Sequence, residues 1–147
     1  MNKSSYILLV EDNENDELLA LHALKHHNIQ NQVVVARDGS EALEYLHGVK
    51  EDGQPAHELP LVVMLDLRLP KVSGIQVLKS IRETPRTHLL PVVVLTSSDE
   101  ESDIRACYNL GVNSFVQKPV EFSSFMDAVG KLGMYWILVN EPPPFPR

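Results

Sequence analysis

Five short apolar runs, spaced so that a helical pattern fits between successive ones, constrain this chain more than any other feature. They are YILLV (6–10), QVVVA (32–36), LVVML (61–65), VVVLT (92–96) and SFVQ (114–117). Each is rich in Val, Ile, Leu or Phe and is about as long as a strand. Runs that are apolar on both faces belong inside a sheet covered on both sides. The intervening segments place Leu18, Leu21 and Leu24 (16–27), Ile75, Leu78 and Ile81 (74–83), and Ile104, Cys107 and Leu110 (100–110) at helical spacing, with a shorter candidate at 40–46 and a last helix starting near Glu121. Strand and helix alternate five times, which predicts an α/β fold with a doubly wound, five-stranded parallel sheet.

The breaks agree with this reading. Thr84 precedes Pro85 and so should end the third helix, and Gly111 stands where a left-handed helix cap would follow Leu110. Residues 48–60 form a polar connection longer than most helix-to-strand links, read as a surface insertion or a partner contact. At 147 residues the chain predicts one domain with a core large enough to need no disulfide. Cys107 is its only cysteine, so no intramolecular disulfide can form, and its expected place is as a small buried hydrophobe. The apolar run at the N-terminus is too short for a signal-peptide core, and no stretch approaches the roughly 20 apolar residues that span a bilayer. A cytoplasmic protein without a membrane partner is expected. The formal net charge of -7, with no basic face in the sequence, argues against nucleic acid as a partner.

The chemistry gathers at the ends of the apolar runs. Glu11 and Asp12 follow the first, Asp66 ends the third in VVMLDLRLPKVSG (62–74), Thr96 ends the fourth, and Lys118 follows the fifth. In open α/β sheets ligands sit beyond the carboxyl ends of the strands, so these residues converge at one edge. Three carboxylates in one place need a cation or raised pKa values to coexist at neutral pH. Oxygen ligands with open positions suit Mg²⁺, and a cation on Asp12 and Asp66 would leave room for a phosphoryl oxygen, with Lys118 and Thr96 for the others. Taken singly, an acidic pair after a strand is an ordinary helix cap and a threonine at a strand end an ordinary strand former. Their conjunction points to a carboxylate that attacks phosphorus.

LLVEDN, MLDLRLPKVSG, VVVLTSS and FVQKP together resemble the successive signatures of bacterial response-regulator receiver domains, over residues 6 to about 132. The resemblance implies a flavodoxin-like receiver fold with strand order 2-1-3-4-5. It implies Asp66 as phosphoacceptor, and Mg²⁺ (or Mn²⁺ in its place) on Glu11, Asp12, Asp66 and the backbone carbonyl of Arg68. Thr96 and Lys118 would contact the phosphoryl group, and the Lys118–Pro119 bond would be cis. Thr96 and Phe115 would be the switch pair, while Arg68 and Ser98 would sit where phosphoryl lifetime is tuned. A sensor histidine kinase is the implied donor.

A receiver domain over 1–132 leaves an extension, 133–147, with no effector domain expected after it. Phe122, Phe125, Val129, Leu132 and Trp136 fall near a heptad seam. Gly130 and Gly133 weaken the helix, so its end is expected to unwind into an apolar arm of Tyr135, Trp136, Ile137, Leu138 and Val139 before the tail EPPPFPR. Phe122, Phe125 and residues 135–138 are therefore the expected homodimer interface, with packing on the same domain as the alternative. The long connection and this tail are similar to those of small stand-alone receivers that partner bacterial phytochromes. His22 and His26 have a spacing a metal can bridge, but with no third ligand nearby a solvated cluster with His27 is expected. Three other readings compete with this one. A phosphohydrolase would want a second acid two residues after the nucleophile, where Arg68 stands. A nucleotide or flavin module would want glycines where VEDNEND offers carboxylates. An unphosphorylated scaffold would keep the fold and lose the chemistry.

Overall fold

The structure is a computed structural model and describes residues 5–144. Its strands are β1 (Tyr6–Val10), β2 (Gln32–Ala36), β3 (Val62–Leu65), β4 (Val92–Thr96) and β5 (Ser114–Gln117). The helices are α1 (Glu14–His26), α2 (Gly39–His47), α3 (Gly74–Glu83), α4 (Glu101–Asn109) and α5 (Phe122–Gly133). All strand pairs are parallel, in the order β2-β1-β3-β4-β5. The expected alternation, fold class and strand order are those observed.

Side chains alternate across each strand and divide the interior into two cores. Leu8 and Val10 of β1 join Val77, Leu78 and Ile81 of α3 and Cys107 of α4 on one face. Ile7 and Leu9 join Ala20, Ala23 and Leu24 of α1 and Phe125 and Val129 of α5 on the other. The helix ends follow local chemistry. Ser73 and Gln76 form a reciprocal capping box at the start of α3, Thr84 is its last cap before Pro85, and Gly111 takes φ +79° after α4.

Residues 48–60 are more ordered than a tolerated insertion needs to be. Val49 and Pro55 form an antiparallel bridge, and the turn between them uses Gly53 at φ +83°. His57 stacks on Tyr45 with ring centroids 4.0 Å apart, while Arg86 donates to the carbonyls of Leu46 and His57. The Tyr6 hydroxyl donates to the carbonyl of Glu58.

The C-terminal arm departs from expectation. It does not unwind at the glycines: Met134–Val139 continues α5 as π-helix. Gly130 and Gly133 serve close packing, because a Cβ at Gly130 would lie 2.2 Å from the His27 ring and one at Gly133 2.5 Å from Leu24. Two residues assigned to an intermolecular interface, Phe125 and Ile137, belong to the core of this domain. From Phe125 to Trp136 the heptad-like spacing marks the stripe that α5 lays on α1 and the sheet, while Phe122 at its start stays exposed. Of the tail, residues 145–147 lie outside the described residues.

Candidate phosphoryl and metal pocket

The sheet reverses its winding between β1 and β3, and Glu11 and Asp66 are the first residues beyond those strands. Both backbones are held by the continuing ladder: Glu11 N–H donates to Ala36 O (3.0 Å) and Asp66 N–H to Val10 O (3.1 Å). Asn13 starts α1 immediately afterwards by accepting from Asp16 N–H at 3.0 Å, which turns the chain away from the acids. Below Asp66, Gly74 N–H donates to Leu67 O (2.9 Å), and the approach is so close that a Cβ on Gly74 would fall 2.2 Å from Asp66 O. Only glycine lets α3 begin there.

Lys118 enters from the far side of the sheet. Its backbone N–H donates to Thr96 O (2.6 Å), and its side chain crosses to the acids of β1 and β3. Nζ donates to Glu11 Oε1 at 2.6 Å, Asp16 Oδ2 at 2.9 Å and Asp66 Oδ2 at 3.0 Å. The Lys118–Pro119 peptide, expected to be cis, is trans: no cis peptide occurs among the described residues. The trans form of an X-Pro bond is favoured by about 0.5–1 kcal/mol, and from it the lysine already spans the three carboxylates.

Burial sets the electrostatics. Glu11 is 3% exposed and Asp66 7%. Desolvation, with Asp66 as hydrogen-bonding and like-charged neighbour, pushes the Glu11 carboxyl up to about 9 against the pull of Lys118. Burial also works against the Asp66 carboxylate, but the hydrogen bond with Glu11, Lys118, and the N–H of Arg68 (3.2 Å to Oδ1) hold it below its ordinary value. For Lys118 desolvation is likewise outweighed, by Asp16 and Glu11 first, and the ammonium is held above its usual range. Of the buried pair, Glu11 holds its proton the more tightly and Asp66 the less, because Lys118 and the Arg68 N–H favour charge on Asp66.

Glu11, Asp12 and Asp66 each offer one oxygen, all within 4.8 Å of one another, with Asp12 exposed. Hard oxygen donors on one open side and crowded negative charge fit a divalent cation such as Mg²⁺ or Mn²⁺. Thr96 ends β4 beside them, two residues beyond the partner of Leu65, and is buried. Its hydroxyl accepts from Ser98 N–H (3.3 Å), and Ser98 in turn donates to Asp103 of α4 at 2.5 Å. Phe115 pairs with Val94 and lies on the same face of the sheet as Thr96, half-buried against the core. Arg68 and Glu100 approach to 3.9 Å, both largely exposed. Of the expected interface residues still at the surface, Phe122, Tyr135 and Leu138 are exposed and Trp136 is half-buried. Sequence reasoning passed over Asp16; its signal was its place at the third position of a helix capped by Asn13, where an acid turns back towards the strand ends.

A five-stranded parallel sheet with an acid cluster and a half-buried lysine at its switch point defines a doubly wound α/β signalling-type domain in which a ligand site lies beyond the strand ends. The chain matches the response regulator receiver domain over residues 7–130 and belongs to that family, the signalling receivers of two-component systems. It is 40% identical over 137 residues to the probable methanogenesis regulatory protein FilR2 of Methanothrix harundinacea, covering 93% of this chain and 86% of that protein. It is 35% identical to response regulator Rcp1 of Synechocystis sp., covering 92% of this chain and 91% of Rcp1. The Mn²⁺-bound form of Rcp1 superposes with a TM-score of 0.87 at 34% identity, over 95% of this chain and 99% of Rcp1. The phosphorylated cyanobacterial phytochrome response regulator RcpA superposes with a TM-score of 0.88 at 36% identity, over 95% and 99% of the two chains. No helix among the described residues is long and apolar enough to cross a membrane.

Proposed function

We propose that this protein is a phosphorylatable, single-domain response regulator that takes a phosphoryl group from a sensor histidine kinase onto Asp66. The observation that carries the reading is the Asp66 carboxyl group with Lys118 Nζ at 3.0 Å, inside an acid cluster that fits a divalent cation. An Asp66 oxygen forms the bond to phosphorus as the phosphorus–nitrogen bond of the phosphohistidine breaks, its electron pair staying on the departing imidazole. Glu11, Asp12, Asp66 and the carbonyl of Arg68 would hold Mg²⁺, whose chemistry is to neutralise charge on the phosphoryl oxygens. Lys118 stabilises a second oxygen through its ammonium, and the Thr96 hydroxyl donates to a third. Turning that hydroxyl away from Ser98 makes space beside Phe115, whose inward shift rests on packing because it has no hydroxyl of its own.

The likeness to RcpA supports a phytochrome-type kinase as donor, and membership of the receiver family supports a cytoplasmic setting. Exposed Phe122, Tyr135 and Leu138 support a homodimer through α5 and its π-helical continuation. Intact-mass spectrometry after incubation with acetyl phosphate tests the central reading. A single phosphoryl adduct that requires Mg²⁺ and is absent in Asp66→Asn is the expected result. No adduct under any condition would leave a receiver-shaped scaffold.

A further inference from the structure

An ammonium has three N–H donors, and Lys118 spends all three on carboxyl oxygens: those of Glu11, Asp16 and Asp66. These acceptors differ in their other duties. Glu11 and Asp66 belong to the group that can gather on a cation, whereas Asp16 does not. On the receiver reading, cation and phosphoryl group both draw on Glu11 or Asp66, and each withdrawal frees a donor of Lys118. The remaining partner is Asp16. It is rooted on a helix, because its own N–H is fixed by the Asn13 side chain at 3.0 Å and it lies within the first turn of α1. The lysine stem is long and flexible and rises from the loop after β5, so a fixed charged acceptor is what gives it one direction.

We propose that Asp16 is a positioning residue for Lys118, holding its ammonium over Asp66 while Glu11 turns to the metal. It touches neither phosphorus nor cation and acts through the lysine. The inference rests on the receiver reading for its purpose, but its geometry can be tested without phosphorylation.

The first measurement is the rate at which a small amine-specific reagent labels Lys118 in metal-free protein, read by peptide mass spectrometry. Asp16→Asn is expected to raise that rate by on the order of tenfold, the low end of what loss of one charge-assisted hydrogen bond gives, and Asp16→Glu to return it towards the parent value. The second is Mg²⁺ affinity by calorimetry. Asp16→Asn is expected to weaken it, because a lysine left with two partners competes harder for Glu11, and that weakening should vanish when Lys118→Met is already present. Unchanged labelling in folded Asp16→Asn would overturn the proposal. So would an equal loss of Mg²⁺ affinity with and without Lys118, which would mark a simple through-space charge effect. Asp16→Ser carries the same test if the Asn variant does not fold. Failure of the parent protein to accept phosphate would sink the receiver reading while leaving the labelling result intact.

Discussion

At the scale of single residues the pocket's unusual member is Glu11, whose carboxyl is raised to about 9 by burial and by Asp66. In the unfolded chain it titrates as an ordinary glutamate, so between about pH 5 and 9 the folded state binds more protons than the unfolded one. Stability from this group is therefore fully present at the acidic end and is lost as pH rises through the folded value. The melting temperature of metal-free protein should fall across that window relative to Glu11→Gln, and Mg²⁺ should flatten the difference by replacing the proton as neutraliser. Asp66, held low, acts in the opposite sense but below the window. His47, lowered by burial and then by Arg86, also opposes at the acidic edge, so the comparison with Glu11→Gln isolates the effect. Cys107 gives an independent check: it is fully buried, and burial with nearby Asp103 pushes its thiol up to about 11. Thiol reagents at neutral pH should label it only after denaturation. The acids and Lys118 were legible in the sequence because each directly follows a strand. Asp16 had only the weaker signal of its place after the Asn13 cap, and its contact with Lys118 depends on where α1 sets its first turn.

At the scale of elements, the pocket depends on how tightly α3 is seated beneath β3. A methyl group on Gly74 would meet two backbone atoms, Asp66 O at 2.2 Å and Leu67 Cα at 2.5 Å, neither of which can rotate aside. Gly74→Ala should cost about 1–3 kcal/mol and displace the end of β3, lowering both the denaturation midpoint and the rate of phosphoryl uptake from acetyl phosphate. Gly130→Ala meets the His27 ring, a side chain that can swing away, and should cost less while leaving phosphoryl uptake unchanged. The element pattern could be read from sequence because continuous apolar runs and helical stripes are local signals. The hairpin within 48–60 and the π-helical turns after Gly133 could not, since both are fixed by distant partners: Tyr45 and Arg86 for the first, the α1 face for the second.

At the scale of the whole molecule, adjacent residues of the π-helical segment differ sharply in burial, and this separates folding from assembly. Ile137 is 6% exposed and packs in the core with Ile29, whereas Leu138 is 54% exposed. An aspartate at Ile137 would bury an unpaired charge, which costs several kcal/mol or forces the segment off the domain. The expected result is a large drop in melting temperature whatever the oligomeric state. An aspartate at Leu138 meets solvent in the monomer, so its melting temperature should change little. It would place one charge from each protomer in the proposed dimer interface, where an isologous contact puts identical patches together. Light scattering should then show Leu138→Asp as a folded monomer at concentrations where the parent is a dimer. If Leu138→Asp keeps the parent's dimeric mass, the dimer is built on another face. If the parent is itself monomeric, the exposed side of α5 is left for a downstream protein, and the Asp66 switch would have to act on that contact rather than on self-association.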